Sequence, residues 1–405
     1  AKMSRATTKD VARVVRALAR WSGHGEMQRS GAKPKDRQLI TRGLARDAMA
    51  LFYRKLPDGH VPATYAAYMF AFISNSRQGT ADGMEALTHY VHRHKCLGDI
   101  LDTCERINCR IGDRFLMDLC TNYLSAVQTS PCQFSIADLF YSAAKSGIRL
   151  EAYRVGDLCD HFSKVYDESS TEPLAKMLYA VAHFDISAVE DFPTKDILAS
   201  FLACSAKRRA SANEIASVLC AMDAMALACK YHDAEDLVVG FAEQVDDCNL
   251  QNILPALRAI RGVDPKLAFH VAERSFNAFD RRLRLASAKE VTEMLCLMAE
   301  VGYRPKKHQA EKFLDKLLAN PDLMASSDLV NMMRALGKMG TDVNGTTIDR
   351  VVYCFGSKLE EAETQELAAF LHALSQLRYT PRGSTLELLA QIDKVLVSLQ
   401  QEPVE

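Results

Sequence analysis

Apolar positions along this chain recur in short clusters of one form: two apolar residues, a variable one, a small residue or leucine, then another apolar one. The clearest copies are Met294-Leu295-Cys296-Leu297-Met298, Met332-Met333-Arg334-Ala335-Leu336 and Phe370-Leu371-His372-Ala373-Leu374. The pattern runs back through Ala256, Ala221, Ala180 and Ser142, and the steps from Ser142 to Ala373 are 38, 41, 35, 41, 38 and 38 residues. Fainter copies fall at Thr103, Ala71 and Ala17. Apolar residues at i, i+1 and i+4 line one helix face, and a small fourth residue lets a neighbouring helix approach closely. A second helix per unit is expected over His308 to Leu318 and over Thr347 to Leu359. Breakers separate the elements at Gly302-Tyr303-Arg304-Pro305, Gly340-Thr341-Asp342 and Tyr379-Thr380-Pro381.

A fixed period in this range predicts stacked helix pairs, because one pair cannot bury its apolar face alone. The expected fold is therefore all-α, an α-solenoid of about ten helix-turn-helix repeats. The expected organisation is a basic N-terminal repeat with a loop over residues 1–60, degenerate repeats over 61–130 and a regular array over 131–400.

Composition changes this picture little. Apolar residues make up 48% of the 405, enough for a continuous core, and twelve prolines with nineteen glycines leave little room for long linkers. The twelve cysteines are scattered without a CxxC pair, and several occupy apolar helix positions. They read as small buried hydrophobes in a reducing compartment. No apolar run approaches the roughly 18 residues of a membrane span, and no secretory h-region opens the chain, which begins Ala1-Lys2-Met3.

Charge changes it more. The net charge is −1, yet residues 1–55 hold fourteen Lys and Arg against four Asp and Glu, a balance of +10 that leaves −11 for the rest. Lys9, Arg13, Arg16 and Arg20 are spaced to stripe one helix face, with Val11, Val14, Val15 and Leu18 on the packing side. Lys33, Lys35 and Arg37 follow in or beside a Gly/Ser/Lys loop, and Arg42 and Arg46 sit one turn apart on the next helix. These nine residues are the candidate RNA-binding set, since several Arg and Lys on phosphates give salt-dependent affinity. A solvated face or an acidic protein partner would use the same residues. Smaller basic clusters recur at repeat junctions: Lys207-Arg208-Arg209, Arg281-Arg282 with Arg284, and Arg304 with Lys306, Lys307 and His308. On one edge they would track an RNA backbone; as charged turns they would serve solubility.

Catalytic chemistry leaves no comparable trace. The chain has no GxxxxGK[ST], HExxH or GxSxG. His89, His92, His94 and Cys96 are the densest metal-type cluster, but their spacing does not complete a site. Tyr65, Tyr68, Phe70 and Phe72 sit at helical spacing among Ala and Met and read as core; Trp21 reads as a cap on the array. No enzyme activity, cofactor, metal or small-molecule substrate is expected.

The motifs around Ala221, Ala256, Ala335 and Ala373, and above all Gln365 to Leu374 ending in Tyr379-Thr380-Pro381, resemble the octotricopeptide helical repeats. They are also similar to the heptatricopeptide repeats and the helical region of FAST-kinase-like proteins. The resemblance covers roughly 230 residues well. It implies organellar RNA metabolism in the mitochondrial matrix. The texture of the sequence is similar to kinetoplastid mitochondrial proteins of guide-RNA binding, RNA editing or mitoribosome assembly. The implied partners are single-stranded RNA (guide RNA or mRNA) and other protein subunits, with no membrane. Two departures bear on this. The proline-rich, tryptophan-containing signature of the plant and algal repeats is missing, and no nuclease-like RAP domain is expected after the last repeat, which puts base-by-base readout and nuclease activity in doubt.

Overall fold

The computed structural model describes residues 66–67, 70, 81–106, 111–148, 152–166, 170–184, 192–207, 209–227, 231–319, 324–381 and 383–401. Among these residues it contains seventeen α-helices and no strand. They are α1 (Ala81–His94), α2 (Leu97–Arg106), α3 (Asp113–Thr129), α4 (Gln133–Lys145), α5 (Ala152–Val165), α6 (Thr171–His183), α7 (Thr194–Lys207), α8 (Ala212–Ala224) and α9 (Tyr231–Gln244). There follow α10 (Leu250–Val263), α11 (Pro265–Arg281), α12 (Ala288–Val301), α13 (Lys307–Leu318), α14 (Ser326–Met339), α15 (Gly345–Gly356), α16 (Thr364–Gln376) and α17 (Ser384–Gln401). The helix expected to reach Leu359 stops at Gly356, where a Cβ would meet the Leu388 side chain at 2.5 Å, and a short 3-10 turn, Leu359–Glu361, follows.

The chain forms two compact units, one comprising Ala1–Ala210 with Ala224–Ala228, the other Ser211–Asp223 with Cys229–Glu405. In the first, α2, α4 and α6 stack side by side as one layer, and α1 packs on α3 in the other. In the second, α10, α12, α14 and α16 form one layer; α9 packs on α11, and α13, α15 and α17 follow one another in the other. Alternation of helices between two layers is the architecture of a helical-repeat solenoid.

Every small or Leu residue from Ser142 onward falls on an even-numbered helix. Ser142, Ala180, Ala221, Ala256 and Ala373 are fully buried, and Leu297 and Ala335 are 3% and 5% exposed. Stacking of even helices is therefore what the fourth position of the motif serves. Phenylalanines pack within and between layers: Phe276 of α11 stacks on Phe313 of α13 with ring centroids 4.7 Å apart, and Phe355 of α15 stacks on Phe370 of α16 at 4.0 Å, joining the two layers. Phe70, expected in the core, is fully buried and meets Phe115 edge-on.

Five of the even helices, α4, α8, α12, α14 and α16, also end alike. Five residues after the motif position, the backbone turns left-handed at Gly147, Ala226, Gly302, Gly340 and Arg378. One residue later the N–H of Ile148, Tyr303, Thr341 and Tyr379 returns to the carbonyl of Ala143, Met298, Leu336 and Leu374 at 2.9–3.2 Å. This Schellman closure satisfies carbonyls the helix leaves free. Glycine adopts it without strain; Ala226 and Arg378 do not. Helix starts are sealed by side chains: Ser287 and Glu290 form a capping box on α12, and Asp264 caps α11 ahead of Pro265.

Candidate nucleic-acid interface

Three positions in each even helix lie four before, one before and three after the motif's fourth residue. Spacings of 3 and 4 place them on one face. In sequence order the completely described triplets are Asp138/Tyr141/Lys145, Lys176/Tyr179/His183, Ser217/Cys220/Ala224, Asn252/Pro255/Ala259, Glu293/Cys296/Glu300, Asn331/Arg334/Lys338 and Ala369/His372/Gln376; Asp99 and Asp102 occupy the first two slots of α2. The ridge is polar at both ends of the layer and largely apolar over α8 and α10, where Cys220, Ala224, Pro255 and Ala259 occupy it.

In the first unit the ridge is sealed. Asp138 is fully buried on α4 and accepts from the backbone N–H of Leu97 and Gly98 (2.9 Å each) and from the Tyr123 hydroxyl (3.1 Å). Its carboxylate thus caps the N-terminus of α2 from another repeat, where the helix dipole favours negative charge. Gly98 permits the approach: a Cβ there would lie 2.8 Å from the Tyr141 ring and 3.0 Å from Asp138 Oδ1. Lys176 Nζ reaches Glu172 at 2.8 Å, Asp138 at 3.4 Å and Asp99 at 3.6 Å. Burial alone would lower the Lys176 pKa, but Asp138, Asp99 and Glu172 outweigh it and hold the ammonium charged. Burial, then the Asp102 carboxylate, push the Tyr141 phenol well above its usual range, so it stays a donor to Asp102 at 3.1–3.2 Å. Lys145 pairs with Asp102 at 3.1 Å, and the Tyr141 ring lies 5.1 Å from Tyr179, which stacks on the exposed His183 at 4.1 Å. These contacts join consecutive repeats.

In the second unit the ridge opens. Arg258 and Arg261 on α10 pair with Glu293 and Glu300 on α12. Beyond them Asn331, Arg334 and Lys338 on α14 and His372 and Gln376 on α16 are exposed. Arg334 and Lys338 have no carboxylate within ion-pair distance among the described residues. Gln376 rests on Gly337, where a Cβ would come within 2.7 Å of its Oε1.

The basic junction clusters divide. Arg281 pairs with Asp246, Arg282 donates to the Cys248 carbonyl, and Lys307 pairs with Asp342 at 3.1 Å, so these cations tie one repeat to the next. Arg304, Lys306 and His308 stay exposed. The nine candidate RNA-binding residues, Lys9 through Arg46, lie outside the described residues.

Thiol and metal chemistry is sparse. Burial pushes Cys96, Cys120 and Cys159 up to about 12 and Cys296 up to about 11, which keeps them thiols. Cys132, at the N-cap of α4, is the exception: burial raises it, but Ser135 at 3.0 Å and the charge of Lys95 bring it below the usual value. Among the described residues no three His, Cys, Asp or Glu side chains are placed to hold a metal ion, His89, His92, His94 and Cys96 included. No described helix is long and apolar enough to cross a membrane.

The chain is a helical-repeat protein. No family model matches it, and no curated protein matches it. Among solved structures it is similar to the pentatricopeptide repeat protein PPR10 in complex with an 18-nt psaJ RNA element. The identity is 12% over 98% of this chain and 68% of that one, with a TM-score of 0.24. It is also similar to a circular tandem repeat protein with novel repeat topology, at 11% identity over 97% and 96% of the two chains and a TM-score of 0.17. Superpositions this loose transfer no residue and no ligand, and the fold rests on the helix packing itself.

Sequence reasoning found the buried slot of the motif and passed over its variable slot. The third position, occupied by Tyr141, Tyr179, Cys296, Arg334 and His372, carries the middle of the ridge. Its signal was variability at a fixed place in a repeat; the slot is buried at Tyr141 and exposed at Arg334 and His372.

Proposed function

We propose that this protein is a non-catalytic subunit that binds single-stranded RNA and scaffolds other protein subunits. The observation that carries this reading is charge segregation: a balance of +10 in residues 1–55 is attached to an array that carries −11. A basic segment of this kind supplies counterion-releasing contacts to phosphates, and a repeat array offers extended surface for several partners. The finer reading is a mitochondrial-matrix complex that processes RNA, handling guide RNA and mRNA in editing. It is supported by the resemblance of the repeats to organellar RNA-metabolism families.

A second reading is a protein-only scaffold, such as a mitoribosome assembly factor without RNA contact. It is favoured by the number of cations already committed to neighbouring repeats, from Arg258 and Arg261 to Lys312 with Asp280 and Arg350 with Asp315. Fluorescence anisotropy with single-stranded RNA across a salt series separates the two. The first reading expects salt-dependent binding that Arg13→Glu, Arg16→Glu and Arg20→Glu together abolish. Absence of binding by the unaltered protein at low salt would leave the scaffold reading in its place.

A further inference from the structure

We propose that a cationic edge of the second unit, formed by Arg304, Lys306, Arg334, Lys338 and Arg378, is a docking surface for the sugar–phosphate backbone of single-stranded RNA. This rests on the RNA-binding reading above and gives it a contact region separate from residues 1–55.

The five residues come together because α12, α14 and α16 stack in parallel. Ser326 near the start of α14 bonds Glu366 near the start of α16 at 2.7 Å, while Gly337 near the end of α14 lies against Gln376 near the end of α16. The turns after α12 and α16 thus flank the last turns of α14. Adjacent helices in such a layer lie about 8–10 Å apart, so the cations form a row along the array.

Three observations separate this row from ordinary surface charge. All five side chains are exposed, and none has a carboxylate within ion-pair distance among the described residues. Three acidic groups near the row are engaged elsewhere: Glu300 with Arg261, Asp342 with Lys307, and Asp349 with the Tyr379 hydroxyl.

Second, the helix dipole does not explain the placement. It favours Lys338 in the last turn of α14, but Lys306 is the N-cap of α13 and Arg304 lies two residues before it. Positive charge is disfavoured at a helix start.

Third, Arg378 holds a φ of 52° at the position where three other even helices, α4, α12 and α14, place glycine. Ala226 shows that the turn alone tolerates a side chain, and at Arg378 the side chain it carries adds a cation to the row. An anionic backbone with a charge at every nucleotide is the partner that fits a row of unpaired cations.

The test uses the full chain and a fluorescent oligouridine of about 20 nucleotides between about 50 and 200 mM salt. Variants are Arg304→Gln/Lys306→Gln/Lys338→Gln, Arg378→Gly alone, and Arg13→Glu/Arg16→Glu/Arg20→Glu. Loss of three phosphate contacts should flatten the slope of log affinity against log salt by about 2 and weaken binding roughly tenfold or more at the low-salt end. Arg378→Gly should melt at a higher temperature than the unaltered protein yet bind RNA more weakly, a split that a purely structural role would not produce. An unchanged salt slope in the triple Gln variant, with binding lost only in the N-terminal variant, overturns the edge and leaves the RNA-binding reading standing. No binding by the unaltered protein removes that reading and this one together. Displacement of the RNA by polyglutamate at equal charge concentration would overturn the assignment in favour of an acidic protein.

Discussion

Replacing Asp138 by alanine tests how the first unit is held together. The carboxylate has four partners, and each loses something different. The Leu97 and Gly98 N–H groups lose the cap on α2; Leu97 is fully buried, so water is not a ready substitute. The buried Tyr123 hydroxyl loses its acceptor. Lys176 keeps Glu172 and Asp99, so its ammonium is not stranded. An orphaned buried donor costs about 1–3 kcal/mol, and breaking a buried charge pair about 3–5 kcal/mol. Because Lys176 keeps two carboxylates, the cost comes from the three orphaned donors and should be at least about 3 kcal/mol for Asp138→Ala, roughly a hundredfold or more in the local opening equilibrium. A long repeat array need not unfold in one step, so a global midpoint would dilute a loss confined to the first unit. Native-state hydrogen exchange resolved by segment is the right one. Protection over residues 97–145 should fall by that factor while α12 to α16 are unchanged. A loss of less than about 1 kcal/mol in those segments would refute the reasoning, because that is the net worth of a single ordinary hydrogen bond.

The left-handed helix ends give a paired prediction. Ala226→Gly should raise the melting temperature, by about 0.5–1 kcal/mol of relieved strain, and Gly340→Ala should lower it by at least as much; the same sign for both would show that φ is not the cause. The thiols give another. With iodoacetamide near pH 7.5, Cys132 should label first among the described cysteines, because Ser135 and Lys95 favour its thiolate, while Cys96, Cys120 and Cys159, pushed up to about 12 by burial, should stay unlabelled in the folded protein. Mass spectrometry of a time course reads the order directly.

The layer of even helices was legible because its cause is local and repeated. A helix can approach its neighbour closely only where a small residue allows it, so Ser142, Ala180, Ala221, Ala256, Ala335 and Ala373 had to recur at the repeat length. The glycine breakers at 302 and 340 were legible for the same reason, since only glycine takes φ values of 78° and 59° without strain. Arg378 was not, because nothing in its own residue type announces a left-handed turn. The Asp138 knot was hidden as well. It gathers residues 97, 98, 123, 138, 172 and 176 from four helices, and spacing along one helix does not reveal a pairing across repeats. The basic junctions were legible as charge but not as geometry. Arg281, Arg282 and Lys307 look like Arg304 and Lys306 in sequence, and only the positions of Asp246, the Cys248 carbonyl and Asp342 separate them.

That separation bears on function more than the fold does. A helical-repeat array must spend part of its charge on joining repeats, so total basic content says little about what it offers a partner. In the first unit the ridge turns inward: Asp99, Asp102, Asp138, Lys145 and Lys176 neutralise one another across α2, α4 and α6. In the second, Glu293 and Glu300 are paired, and Arg334 and Lys338 follow on the ridge with no carboxylate within ion-pair distance among the described residues. A solvated charge contributes little to stability, so stability does not account for Arg334, Lys338, Lys306 at a helix start or Arg378 in a left-handed turn. Their exposure is what the proposed RNA docking edge requires, and the sign of the charge restricts a partner there to an anion.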